Sequence, residues 1–351
     1  MDMSQPALDA LRADASASAS VTLRAPGRLH LGFFDPAGSL GRRFGSLGLV
    51  IDGFETEVAL SAASANQVSA SGVAEQAEIE RARAHLQRLQ QHSECHEPLH
   101  LTLLRVLPAH AGFGSGTQLA LAIGRAFAQW HGLHTTTPAL AQWLGRGARS
   151  GIGIAGFDHG GLLVDGGPGG AGGQGGEGAP APLLARLPLP EAWRILVLQD
   201  SAQHGLSGAG ERDAIATLAP LPQALAADIC HQVLMRVLPG AAGAEFAPFA
   251  AGVSHIQQVL GAHFAPAQGG SAYTSAAVGR LLEWTVAAGH AAAVGQSSWG
   301  PTGFAILPSQ AHAEALVTAA RAANMVAAGL TLNIVAGRNH GATVIDSRRA
   351  R

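Results

Sequence analysis

The glycine-rich segment 108–118 has the residue pattern best suited to chemistry. It reads Pro-Ala-His-Ala-Gly-Phe-Gly-Ser-Gly-Thr-Gln and lies between an alternating strand pattern and an apolar-faced helix pattern. Glycines let backbone N–H groups turn toward one point, and the positive end of the following helix attracts an anion. The pattern predicts a phosphate-binding loop, with an ordinary capped turn as the equal alternative. The predicted contacts are Gly112, Gly114, Ser115, Gly116 and Thr117, the two hydroxyls standing where capping residues belong.

The charge pattern narrows the function classes. None of the 22 basic residues is a lysine, which excludes a Schiff-base lysine and a P-loop lysine. Net charge is −2 with no basic stripe, so we expect neither a nucleic-acid partner nor a membrane partner. Cys95 and Cys230 give no disulfide framework, and segment 1–20 lacks the features of a signal peptide. These features predict a soluble cytoplasmic protein.

Two motif matches are rejected. Segment 151–156 has the Gly-x-Gly-x-x-Gly spacing of a dinucleotide fingerprint, but a helix pattern precedes it where a strand is required. We therefore expect no nicotinamide or flavin. The histidines and cysteine of segment 92–100 match no common zinc spacing and are interrupted by Pro98.

Four polar residues outside the loop are candidates for catalysis. Arg28 and His30 are two apart on a strand pattern, so they point to one face and can contact a ligand together. The alternatives are a surface ion pair and a core histidine. Asp158 and Asp165 flank a Gly-Gly turn, where each serves either as a base or metal ligand or as a cap of the turn.

The glycine-flanked segment 295–300 is a second candidate binding loop. Ser297 and Ser298 offer hydroxyls to a phosphate oxygen, and Trp299 offers an aromatic face. A buried turn with a core tryptophan is the alternative. Two glutamines are predicted to orient a ligand: Gln268 and Gln296.

Strand and helix patterns occur without steady alternation, which predicts an α+β protein with two lobes. The predicted strands are 21–31, 45–51, 54–60, 99–107, 160–164, 193–199, 291–295, 302–306, 330–336 and 342–345, with a turn at Asp52-Gly53. The predicted helices are 75–92, 115–130, 138–148, 272–288 and 311–323, together with a helical stretch over 220–260 that breaks near Pro239 and Pro248. Segment 166–178, mostly glycine, is predicted to be a flexible loop.

The loop 108–118 resembles the second motif of the GHMP kinases, and Ala25-Pro26-Gly27-Arg28 resembles their first. The similarity sharpens toward a non-kinase branch, the beta-ribofuranosylaminobenzene 5′-phosphate synthases. It covers about residues 21 to 345 and is carried by segments 27–33, 38–42, 150–153, 160–167, 205–208, 268–270, 295–302 and 337–342. The glycine run 166–178 and Gly303 depart from the family pattern.

The resemblance implies the GHMP-kinase fold, with a ribosomal-protein-like N-terminal α/β lobe and a ferredoxin-like C-terminal lobe. It implies an N-terminal domain over 21–190, a C-terminal domain over 191–351 and a homodimer. The composition of segment 1–20, rich in alanine and serine, predicts a flexible extension.

The resemblance also implies a reaction of tetrahydromethanopterin biosynthesis. Phosphoribosyl pyrophosphate loses pyrophosphate, and a carbon–carbon bond forms at the carboxyl-bearing ring carbon of 4-aminobenzoate as carbon dioxide leaves. The aromatic acid, amino or hydroxy, stays open. Mg²⁺ is expected with the pyrophosphate, and the candidate catalytic residues are Asp165, Asp158, His30 and Arg28. An ATP-dependent small-molecule kinase of the same fold is the alternative function.

Overall fold

The computed structural model describes residues 19–71, 75–168, 181–203, 205 and 217–349. Most of the predicted extension 1–20, most of the glycine run 166–178 and residues 206–208 lie outside these ranges. Ser20 already belongs to the first strand.

The described strands form two sheets. Their bounds are β1 (Ser20–Asp35), β2 (Phe44–Ala62), β3 (Gln67–Ala70), β4 (Leu99–Arg105), β5 (Leu162–Asp165), β6 (Leu183–Leu187), β7 (Arg194–Asp200), β8 (Ala293–Gln296), β9 (Gly303–Leu307), β10 (Leu330–Ala336) and β11 (Thr343–Asp346).

The α-helices in the described ranges are, in chain order, α1 (Gln76–Ser93), α2 (Ser115–His131), α3 (Thr137–Trp143), α4 (Ile152–His159), α5 (Gln223–Gln232), α6 (Leu238–Ala242), α7 (Phe246–Phe264), α8 (Ala276–Ala287) and α9 (Gln310–Ala322). A π-helical turn, Val233–Val237, joins α5 to α6. No helix of these ranges is long and apolar enough to cross a lipid bilayer.

The N-terminal sheet is built around the long antiparallel pair β1 and β2, in the order β11-β1-β2-β4-β3, with β5 and β6 attached to β2. The first helices, α1 to α3, cover one face through leucine, alanine and phenylalanine side chains. The opposite face, with Leu29 and Leu49, shares the largest apolar cluster with α5 to α7 and the second sheet. This burial fixes β1 between the two lobes.

The predicted turn at Asp52-Gly53 is wrong. Strand β2 continues through it, because residues on both sides pair with β1: Val50 opposes Arg28 and Glu55 opposes Pro26. The extra residues form a bulge in which Gly53 has a φ of +78°. A turn dipeptide within a long strand thus forms a bulge when one neighbouring strand pairs with the residues on both sides of it.

The C-terminal sheet has the order β10-β7-β9-β8, and β7, β8, β9 and β10 alternate with α8 and α9 as in ferredoxin-like folds. Helices α5 to α7 are inserted between β7 and α8. Pro239 and Pro248 lie in the first turns of α6 and α7, not at breaks, since a first turn does not need the proline N–H. The interruption falls at residues 243–245.

The last strand crosses back to the first lobe. β11 pairs antiparallel with β1, where Leu23 opposes Val344. A boundary at residue 190 therefore leaves one strand of the C-terminal half in the N-terminal sheet.

Candidate functional site

A pocket opens where β1, α7 and the loop after β8 meet. Its lining includes five residues that the sequence predicted: His30, Gln268, Gln296, Ser298 and Trp299. These five residues come from three segments, more than 200 positions apart at the extremes, and only the packing of the two lobes brings them together.

His30 is the titratable group of this pocket. Its side chain is 3% exposed, and its Nε2 atom has no hydrogen-bond partner among the described residues. Burial, and then the charges of the nearby Arg28 and Arg149, lower the pKa of the imidazole to about 3. The ring is therefore neutral near pH 7, and one of its nitrogens is available to a ligand in the pocket.

Three predicted motifs meet at one carbonyl, that of Gly112. Arg28 donates to this oxygen from Nη1 at 2.7 Å, and the Ser297 hydroxyl donates to it at 2.7 Å. The same hydroxyl accepts from the backbone N–H of His30 at 2.9 Å. Gly112 has a φ of +92°, and a Cβ there would lie 2.5 Å from the carbonyl oxygen of Ser297. The close approach requires glycine, and it locks the loop 108–118 onto the pocket.

Arg28 and His30 share a face, as the strand pattern predicted. Arg28, Leu29 and His30 pair in unbroken register with residues 50, 49 and 48 of β2. The Arg28 guanidinium also lies 3.0 Å from the position of a Cβ on Gly114. The first motif therefore contributes a cation to the loop and an imidazole to the pocket.

The loop 108–118 opens the helix α2 as predicted, but without side-chain capping. Gly114 occupies the N-cap position with a φ of +75°, and no side chain caps the helix, so the predicted capping role of Ser115 and Thr117 is wrong. The Gly114 carbonyl accepts from the N–H groups of Thr117 and Gln118. The N–H groups of Ser115 and Gly116, in the same turn, have no hydrogen-bond acceptor among the residues that the structure describes, which suits an anion.

The two predicted glutamines form one hydrogen-bonded group. Gln296 donates from Nε2 to Oε1 of Gln268 at 2.9 Å, and its Oε1 accepts from the N–H of Thr274 at 2.6 Å. A third glutamine, Gln257 on α7, accepts from the N–H of Gln296 at 2.7 Å and donates to the carbonyl of Leu31 at 2.7 Å. Gln257 ties β1 to β8 and lines the pocket. Sequence reasoning missed it, although an amide within an apolar helix pattern was a signal.

Trp299 forms an aromatic wall. Its side chain is buried, and its ring centroid lies 4.7 Å from that of Phe264 on α7. Ser298, the neighbouring residue, has a φ of +56° and accompanies Trp299 in the lining. Both predicted roles, phosphate contact for Ser298 and ring stacking for Trp299, stay predictions.

Arg149 is a second residue that sequence reasoning missed. It lines a neighbouring cavity with Arg43, and Phe264 borders both this cavity and the pocket of His30. The groups that act on the pKa of His30 include two arginines and no carboxylate. The surroundings of His30 are therefore electropositive, as the site of an anionic ligand would be. The sequence signal for Arg149 was its position one residue before the Ser150–Gly153 motif.

Asp165 lies away from the pocket and its contacts are structural. The buried carboxylate accepts from Ser150 Oγ at 2.9 Å and from the N–H groups of Gly151, Ile152 and Gly167 at 2.8 to 3.2 Å. Burial raises its pKa, and these hydrogen bonds oppose the rise. It holds the start of α4, so its predicted catalytic role has no support from these contacts.

Asp158 is exposed at the end of α4 and accepts from the Thr137 hydroxyl at 2.6 Å. It borders a shallow surface depression with Arg186 and His340, which is separate from the lining of the His30 pocket. Of the predicted catalytic residues, the structure brings only Arg28 and His30 together.

The alternative role of Asp158 and Asp165 as metal ligands stays a prediction. Within the described ranges, no group of three or more His, Cys, Asp or Glu side chains is placed to hold a metal ion. The described part of the pocket lining contains no carboxylate, the side chain by which proteins usually bind Mg²⁺.

The fold and the site define a class, and comparison with known proteins agrees. The GHMP kinases N terminal domain model matches residues 78–161, and the GHMP kinases C terminal model matches residues 253–326. Homoserine kinase from Cytophaga hutchinsonii superposes with a TM-score of 0.65 at 17% identity, covering 94% of this chain and 98% of that one. Mevalonate diphosphate decarboxylase from Enterococcus faecalis gives 0.64 at 16% identity, covering 94% and 99%. The predicted GHMP-kinase fold is confirmed.

Sequence relatives narrow the class. Beta-ribofuranosylphenol 5′-phosphate synthase from Archaeoglobus fulgidus is 34% identical over 295 residues, which are 82% of this chain and 88% of that protein. The protein of the same name from Methanothermobacter thermautotrophicus is 30% identical over 333 residues, 92% and 98% of the two chains. This chain belongs to the beta-ribofuranosylphenol 5′-phosphate synthase family, a branch of the GHMP kinase superfamily, as the motif resemblance predicted.

Proposed function

We propose that this chain transfers the phosphoribosyl group of phosphoribosyl pyrophosphate to a para-substituted benzoate. Pyrophosphate and carbon dioxide leave, and a C-glycoside forms. The observation that carries the proposal is the junction at the Gly112 carbonyl. There Arg28 and Ser297 fasten an anion-binding helix start to a pocket that contains a neutral His30 and an aromatic wall.

The order of bond changes explains why the pocket needs no strong base. The ribose C1–oxygen bond breaks, and its electron pair leaves on the pyrophosphate, whose charge the N–H groups of Ser115 and Gly116 stabilise. The carboxyl-bearing ring carbon then bonds to C1. The bond to the carboxylate breaks as carbon dioxide departs, and its electrons restore the aromatic ring. No ring proton has to be removed, so a carboxylate base beside His30 is unnecessary.

His30 acts as a hydrogen-bond partner in this scheme. With a pKa lowered to about 3, it is not a proton donor at neutral pH. Its open Nε2 and the hydroxyl of Ser298 orient the substrate, and Trp299 packs on the benzoate ring. The neighbouring cations Arg28 and Arg149 attract the phosphates.

The acceptor is a benzoate with an electron-donating para substituent, because such a group raises electron density at the carbon that bears the carboxyl. 4-Aminobenzoate is the first candidate. 4-Hydroxybenzoate is the second candidate, because the relatives are named for a phenol product, which this acid would give. We expect Mg²⁺ to arrive on the diphosphate of the donor, since the described residues offer it no cluster of ligands.

The experiment is a mass-spectrometric assay with each acid labelled in the ring or in the carboxyl group. We expect a phosphoribosyl product that keeps the ring label and loses the carboxyl label, with one pyrophosphate released per turnover and no ATP requirement. ATP consumption with phosphorylation of an alcohol would support a kinase instead. Retention of the carboxyl label would exclude the decarboxylating transfer.

A further inference from the structure

A group of cationic and imidazole side chains lies near the start of α2 and includes Arg146. Arg81, His85 and Arg88 follow one face of α1 at spacings of four and three, and Arg146 reaches them from the turn after α3. The Arg146 guanidinium donates from Nη2 to Nε2 of His85 at 3.2 Å. Neither the predicted motifs nor the proposed chemistry uses these residues.

Arg146 lies directly against the start of α2. Its Nη1 is 3.4 Å from the position of a Cβ on Gly116, whereas Arg28 approaches Gly114. The two guanidinium groups therefore flank the same helix turn from residues two positions apart. A narrow cleft beside this turn, with room for about one water molecule, is lined by Ser115, Gly116 and the ion-paired Arg81 and Glu78.

The positive charge of this group is not balanced. Arg81 pairs with Glu78, but Arg146 and Arg88 have no carboxylate partner within the described ranges. Burial, then the charges of Arg81 and Arg88, lower the pKa of Arg146, and no acidic group opposes them. Gathering like charges at a partly buried site costs free energy unless an anion compensates them.

His85 gives the second, independent sign of a ligand. It is 5% exposed, and its Nδ1 has no hydrogen-bond partner among the described residues. Because the Arg146 guanidinium can only donate, His85 must accept at Nε2, so the proton of the neutral ring is on Nδ1. The buried ring therefore presents an N–H donor that lacks an acceptor.

We propose that Arg146, Arg88 and His85 form an anion subsite that binds the outer phosphate of the donor's diphosphate. In this arrangement the diphosphate spans the first turn of α2, with Arg28 on the ribose side and Arg146 on the outer side. The inference rests on the proposed function for the identity of the anion, but not for its binding.

Isothermal titration calorimetry with inorganic pyrophosphate tests the subsite without turnover. Arg146→Gln is expected to raise the Kd for pyrophosphate at least tenfold, and Arg88→Gln about threefold. Arg83→Gln is the matched control, since Arg83 is an exposed arginine of the same helix and acts on neither His85 nor Arg146. It should change the Kd less than twofold. Circular dichroism verifies that each variant folds.

An unchanged Kd in Arg146→Gln, an equal loss in Arg83→Gln, or no pyrophosphate binding by the unmodified protein would overturn the subsite. If Arg146→Gln does not fold, the Arg88→Gln variant decides, since Arg88 is exposed: an unchanged Kd for pyrophosphate would overturn the subsite. If the unmodified protein forms product but Arg146→Gln leaves the Kd for pyrophosphate unchanged, only the subsite is refuted. Arg146-dependent binding without product would refute the proposed transfer alone.

Discussion

Replacing Ser297 by alanine tests the junction between the three motifs. The Ser297 hydroxyl is buried, donates to the Gly112 carbonyl and accepts from the N–H of His30. The Gly112 carbonyl keeps its hydrogen bond from Arg28, so losing the bond from Ser297 costs about 1 kcal/mol. The His30 N–H becomes a buried donor without an acceptor, which costs about a further 1–3 kcal/mol. We expect Ser297→Ala to lower the free energy of unfolding by about 2–4 kcal/mol.

Equilibrium urea unfolding followed by tryptophan fluorescence measures this change through the midpoint and slope. Ser298→Ala is the control, because this neighbour is half-buried and its hydroxyl makes no hydrogen bond within the described ranges. It should shift the free energy of unfolding by less than about 0.5 kcal/mol. Equal effects of the two substitutions would refute the role assigned to the Ser297 hydroxyl.

Two further perturbations address the loop and the buried histidine. Gly114→Ala adds a Cβ 3.0 Å from the Arg28 guanidinium at a φ of +75°, so kcat/KM for the donor should fall at least tenfold. Gly132→Ala is the control, because its φ is +67° and the space around its Cβ is open. This control should lower the free energy of unfolding by a similar amount, about 1–2 kcal/mol, and keep activity. His30 stays neutral in the fold down to about pH 3, whereas the unfolded chain protonates it below about 6.5, so stability should fall as pH drops through this window, by about 1.4 kcal/mol per pH unit for this group. In urea titrations between pH 6.5 and 4.5, the free energy of unfolding of His30→Gln should fall less steeply with decreasing pH, by about 1.4 kcal/mol per pH unit. An unchanged slope would contradict the buried neutral state of His30.

Local patterns predicted the parts of the site that depend on local rules. Period-two alternation placed Arg28 and His30 on one face, and the glycines before an apolar-faced helix placed a glycine-rich turn at the start of α2. These predictions depend only on backbone geometry over a few residues. The family motif segments also contain Gln268 and Gln296, the glutamines that meet across 28 positions.

Long-range packing explains what could not be predicted. Gln257 acquires its role only because α7 crosses both β1 and β8, and Gly295 leaves room for it. Arg149 acts on His30 through space, which a linear pattern does not record. Asp165 looked like a base beside a glycine turn, but N–H groups of two other glycines, Gly151 and Gly167, donate to its carboxylate.

The central claim is that peptide N–H groups at the start of α2 hold the diphosphate of the donor in place of a lysine. A crystal structure of the protein with pyrophosphate bound tests it most directly. We predict a phosphate oxygen within about 3 Å of the N–H groups of Ser115 and Gly116. Pyrophosphate bound elsewhere, with this turn contacting only solvent, would contradict the claim.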